Sequence, residues 1–190
     1  MLCQNGQWIE ITRSHPNLLD VWFYNTSTQS IPDATGTNVQ WTDDGYFFFP
    51  KDTIGLLYDD PSSDATLPKE DVAIKLPYRG VYDVFWGVTF DDPAGAAVGR
   101  RRTSLSMFFS GGTPDGTSTD EWAAIGDGVE LAPPDLGGAG VYECTVIGAV
   151  TVYSTGSEYI KVTCDQTQGA ALTISPEAYE TYLRISYRGH

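Results

Sequence analysis

Apolar and polar residues alternate with period two along most of this chain. No window of a dozen residues carries a helical repeat, so the pattern predicts an all-β protein. A first strand runs over residues 19–25, LDVWFYN, followed by a loop, TSTQSIPDATG, and a second strand, TNVQWTD. GYFFFPKD and IGLLYDD are shorter strand candidates, PSSDATLPKED is a polar loop and VAIKLP a further strand. The longest strand, YRGVYDVFWGVTF, closes at the turn residues DDPAGAAVG, after which RRRTSLSMFFS is expected to pair back. Residues 111–140 are rich in Gly, Pro and Asp and read as a long loop carrying a short strand. VYECTVIGAVTVYSTGSEYIKVTCDQ reads as a hairpin about Ser154-Thr155-Gly156-Ser157. GAALTIS and ETYLRISYRG complete about eight to ten strands, the number of a jelly-roll β-sandwich.

The long strand breaks the alternation in an informative way. Its even series, Tyr82, Val84, Trp86, Val88 and Phe90, is a core face, yet its odd series, Val81, Asp83, Phe85, Gly87 and Thr89, also carries a large ring. On the terminal strand Tyr182 lies opposite the Leu183, Ile185, Tyr187 series and poses the same problem. Burying one such ring contributes on the order of 2 kcal/mol at roughly 25 cal/mol per Å², which a wet outer face forfeits. A second copy of the chain is the economical cover, so Phe85 and Tyr182 are expected at a self-association interface; isolated exposed aromatics are the bland alternative.

Composition sets the class. The chain has 190 residues, with 41% hydrophobic and 19% charged, which suits one well-packed domain, and 20 Gly and 11 Pro scattered through it suit many short strands and turns. There is no internal repeat and no interdomain linker; residues 1–17 stand apart as an arm, and 18–190 form the domain. The formal charge of −14, from 25 acidic against 11 basic residues, argues against a nucleic-acid groove or an anionic membrane surface. No segment has the roughly 20 apolar residues of a membrane span, and the start has no basic leader, so the protein is expected to be made and folded in a cytoplasm. Cys3, Cys144 and Cys164 have no metal-ligand spacing, and the parity of their strands predicts that Cys144 and Cys164 are buried free thiols.

The segments VWFYNTSTQSIPDATGTNVQW, RGVYDVFWGVTF, GRRRTSLSMFFSGG, STGSEYIKVTCDQTQGAALTI and TYLRISYRG, in that order over residues 19–189, resemble the jelly roll of tumour necrosis factor and the complement globular heads, in the version found in bacteriophage virion proteins. Ser157 departs from the pattern, which prefers the Gly of a Gly-Asp pair, and residues 110–141 are longer than the pattern has. The resemblance implies a ten-strand antiparallel sandwich, a homotrimer about a threefold axis, and a role in binding or architecture. The family packs the sheet holding VYDVFWGVTF and the terminal strand against its neighbours.

Little in the sequence suggests catalysis. His15 and His190 lie in the arm and at the last residue, outside any nucleophile elbow or paired-histidine motif, and no carboxylate pair stands out for glycoside hydrolysis. Acidic turns at Asp43-Asp44, Asp59-Asp60 with Asp64, and Asp91-Asp92 offer oxygens of the kind calcium takes, as complement-like heads sometimes do, but they lack EF-hand spacing and read first as solvated turns. No other cofactor is expected. Arg100, Arg101 and Arg102 suggest a contact for an acidic sugar or subunit, against the plainer reading that they pair with Asp91 and Asp92 across a hairpin. Trp122 is the one candidate for an exposed contact ring, whereas Trp22, Trp41 and Trp86 fit core positions. Leu2, Trp8, Ile9 and Ile11 give the arm an apolar side suited to a partner surface. The expectation is therefore a non-enzymatic homotrimeric virion protein decorating a phage capsid. The alternative is a minor tail or tail-fibre protein that recognises a glycan or protein on the host surface.

Overall fold

The computed structural model describes residues 2–4, 7–9, 20–25, 27–41, 73–92, 99–108, 122–128, 142–177 and 180–189. Strands β1 (Leu2–Gln4) and β2 (Gln7–Ile9) form a two-stranded sheet of their own, with Leu2 opposite Ile9 and Cys3 opposite Trp8. The rest is a sandwich of two antiparallel sheets. The first contains β3 (Asp20–Tyr24), β4 (Gln29–Ile31), β7 (Arg79–Asp92), β10 (Tyr142–Thr155), β12 (Leu172–Ile174) and β13 (Tyr182–Gly189), in the order β3-β13-β7-β12-β4 with β10 on the other side of β7. The second contains β5 (Thr37–Asn38), β6 (Ile74–Lys75), β8 (Arg101–Phe108), β9 (Trp122–Asp127) and β11 (Tyr159–Gln166), in the order β5-β11-β8-β9 with β6 also on β11.

The parity of β7 is as its pattern predicts: Tyr82, Val84, Trp86, Val88 and Phe90 all point inward and are fully buried. Facing them from the second sheet are Leu105 and Met107 of β8 and Ile160, Val162 and Cys164 of β11. Trp86 joins the two layers. Its Nε1 donates to Thr103 Oγ1 on β8 at 2.9 Å, a buried bond between sheets. In register beside it on β10 is Gly148, where a Cβ would fall 2.1 Å from the indole, and Gly126 of β9 approaches the ring from across the core. Cys144 and Cys164 are buried free thiols, as strand parity requires, and burial pushes the Cys164 thiol up.

Two connections differ from expectation. β8 does not pair back on β7, since the chain crosses from the first sheet to the second between them. β10 and β11 are likewise no hairpin: β10 runs along β7 and β11 along β8. The crossing is built by Glu158. Its Oε2 accepts from Ser154 Oγ at 2.7 Å and from the backbone N–H groups of Thr155, Gly156 and Ser157, while Oε1 accepts from Thr155 Oγ1. Gly156 takes a φ of 101° in this corner, a left-handed conformation that favours glycine. Smaller revisions follow from local pairing. β4 lies within the predicted loop TSTQSIPDATG and is held by β12, and among the described residues of TNVQWTD the strand is Thr37–Asn38. GYFFFPKD and IGLLYDD lie outside the described residues.

Gly148→Val should cost about 3 kcal/mol in a urea melt, because the rigid indole of Trp86 has no room to give. Burial alone would raise the Glu158 carboxyl, but its hydrogen bonds overcome this and hold it at about 2 against an ordinary 4.5. Its contribution is therefore complete above pH 4.5 and fades as the pH falls toward 2. Glu158→Gln should destabilise the protein by about 2 kcal/mol at neutral pH, and melts in acid should show the gap between variant and wild type closing.

Candidate interaction face

Because the even residues of β7 fill the core, its odd residues form the outer face of the first sheet. Strand register extends that face sideways in rows. One row is Tyr24, Tyr182, Gly87 and Ile147, from β3, β13, β7 and β10; the next is Trp22, Arg184, Phe85 and Ala149. Tyr182 lies flat across Gly87, where a Cβ would meet its ring at 2.6 Å, so glycine is what lets the tyrosine fold down onto the sheet. Trp22 lies 5.6 Å from Tyr182 and 6.1 Å from Tyr24 between ring centroids. The large hydrophobic side chains left exposed among the described residues are Phe85 at 39%, Ile147 at 53% and Tyr153 at 50%, and all three are on this face.

Charge frames the apolar rows. Beyond Trp22 and Phe85 comes the row Asp20, Ser186, Asp83 and Thr151, whose carboxylates are matched within the chain. Arg184 donates from Nε and Nη2 to the two oxygens of Asp20 at 2.8 Å each, and Arg188 bonds Asp83, which also accepts from Thr151 Oγ1 at 2.7 Å. At the opposite end Glu143 stands across from Asp91, with Glu180 and Glu177 close by. The Glu143 carboxyl is pushed up, chiefly by the Glu180 charge, then by burial and by Asp91 and Glu177.

The structure brings Phe85 and Tyr182 onto one face and adds four members that the sequence reading missed: Trp22, which it assigned to the core, Ile147, Ala149 and Arg184. Trp22 could have been found from parity, since Val21 and Phe23 on either side of it are the buried pair of β3. The structure does not bring Trp122 together with the three arginines. Arg101 is fully buried and donates to Gln168 Oε1. Arg100 pairs with Asp165 and Arg102 with Asp127, strands of the second sheet, and there is no hairpin across which to reach Asp91 and Asp92. Trp122 is half-buried at the start of β9, against Phe108 and under Lys161 Nζ at 4.3 Å, so it anchors rather than projects. It faces Phe108 at the far end of β8 from the arginines. Leu2, Trp8 and Ile9 lie in the β1-β2 sheet, while Ile11, His15, His190 and the turns at Asp43-Asp44, Asp59-Asp60 and Asp64 lie outside the described residues. Among the described residues no three His, Cys, Asp or Glu are grouped to hold a metal, and no helix is long and apolar enough to cross a membrane.

The fold has solved counterparts. Murine APRIL at pH 8.0 superposes with a TM-score of 0.57 at 11% identity, over 90% of this chain and 99% of that one. Eiger TNF from S. frugiperda gives 0.54 at 10% identity, over 90% and 92%. The fold is the tumour necrosis factor-like jelly roll. Murine APRIL at pH 5.0 agrees, with a TM-score of 0.56 at 13% identity. No family model matches the sequence, and neither does any curated protein.

Proposed function

We propose that the protein is a non-enzymatic homotrimer that decorates a bacteriophage capsid, held there by the arm of residues 1–17. The observation that carries the trimer is the outer face of the first sheet, where Phe85, Ile147 and Tyr153 remain exposed beside Trp22 and Tyr182. A second copy is the occupant that fits. Chains of formal charge −14 repel, so two copies approach best through a patch whose charges are already closed within each chain, as Asp20 with Arg184 and Asp83 with Arg188 are here. The tumour necrosis factor-like fold supports threefold closure. The phage setting is supported by the sequence resemblance, and the arm by its apolar residues Leu2, Trp8, Ile9 and Ile11.

Light scattering at micromolar concentration should give three times the 20.7 kDa chain mass, and a monomeric mass would refute the assembly. Phe85→Asp should weaken association by about 2 kcal/mol, roughly 30-fold, since a carboxylate brought into a dry contact loses its hydration without a partner.

Deleting residues 2–14 should leave a soluble trimer that is missing from purified virions when a tagged copy is imaged. Normal incorporation of that variant would place docking elsewhere, and labelling at the tail would favour the receptor-binding reading.

A further inference from the structure

An arginine stands at the centre of the apolar face. Arg184 is in register between Trp22 on β3 and Phe85 on β7, and its guanidinium carbon lies 5.1 Å from the Trp22 ring and 5.9 Å from the Phe85 ring. An unpaired arginine in such a place opposes association, because the contact would strip its water and freeze a long side chain. We propose that Asp20 is a positioning residue for self-association: by closing on Arg184 within the chain, it neutralises that guanidinium and holds it as a flat spacer between Trp22 and Phe85, ready for a second copy. This rests on the assembly proposed above.

The geometry separates this role from simple fold stabilisation. Arg184 gives Asp20 two hydrogen bonds of 2.8 Å, one to each oxygen, and Ser186 Oγ donates to the same carboxylate at 3.0 Å, so the acid is fixed from two sides. The Arg184 hydrogen bond lowers the Asp20 carboxyl against the opposing effect of burial, which keeps it ionised. The Arg184 and Asp20 side chains are 38% and 36% exposed, so the free chain gains little from the pair, as is usual for ion pairs in contact with water. Covering the face changes that balance. Arg184 then needs Asp20, because removing one partner of a desolvated pair leaves the other charge buried alone. Arg188 and Asp83 in the neighbouring row differ in kind: Arg188 is 65% exposed and reaches outward. The pair belongs to one chain, and an intermolecular salt bridge would respond oppositely to salt.

The test compares trimer dissociation constants of the full-length wild type, Asp20→Asn and the double variant Asp20→Asn/Arg184→Met by sedimentation. Asp20→Asn should weaken association on the order of 100-fold. The double variant should recover most of the loss, because no charge is then left buried alone. Wild-type association should not weaken between about 0.05 and about 1 M salt, since the pair is closed inside each chain. In an Ile147→Asp background, at a concentration where sedimentation gives a monomeric mass, Asp20→Asn should move the melting temperature by no more than about 2 °C. A trimeric wild type with Asp20→Asn unaffected, a double variant as weak as the single one, or a wild type dissociated by salt would each overturn the role of Asp20 while leaving the assembly standing. A monomeric wild type would overturn both.

Discussion

Trp86 is the residue on which the architecture turns. The largest side chain of β7 can be accommodated only if the opposite sheet stands at the distance set by its indole, if a strand neighbour offers no side chain at that point, and if its N–H finds an acceptor in the dry interior. Gly148 beside it, Gly126 across from it and Thr103 Oγ1 at 2.9 Å meet those three conditions. Residues from β7, β8, β9 and β10 thus converge on one ring. Their agreement sets how the two sheets stack and which side of β7 faces in.

Everything on the outer face follows from that choice. With the even residues of β7 committed to the core, Phe85 has nowhere to go but out, and the register of β13, β3 and β10 lines up Tyr182, Trp22 and Ile147 beside it. Gly87 has the same kind of role outside that Gly148 has inside: by lacking a side chain it lets a ring lie flat on the sheet. The same register that gathers the rings also sets Arg184 among them, and the Asp20 carboxylate from the adjacent strand lets a charge sit in an apolar belt. An acidic chain thereby presents a neutral, largely apolar patch in the middle of one sheet, with the like charges of Glu143, Glu177 and Glu180 gathered near Asp91 toward its end.

Several features were legible in the chain itself. Period-two alternation is enforced by the pleat, so strand existence, the buried series of β7, the burial of Cys144 and Cys164 and the outward position of Phe85 and Tyr182 could be read directly. The jelly-roll class followed from strand number and motif order. What alternation does not encode is the identity of a strand's neighbour, because hydrogen bonds between backbones are indifferent to sequence. The sequence reading therefore drew β7 with β8 and β10 with β11 as hairpins, where only the packed structure, with Glu158 capturing the backbone at its corner, sends consecutive strands to opposite sheets. The same limit explains the arginines. Adjacent in sequence, Arg100, Arg101 and Arg102 have fates set by alternation and by strands far along the chain, so that Arg101 is buried while its neighbours meet Asp165 and Asp127. Side-chain parity is local and was determined by the sequence alone; the gathering of Trp22, Phe85, Tyr182, Ile147 and Arg184 into one face depends on inter-strand register, a long-range property that only the tertiary fold decides.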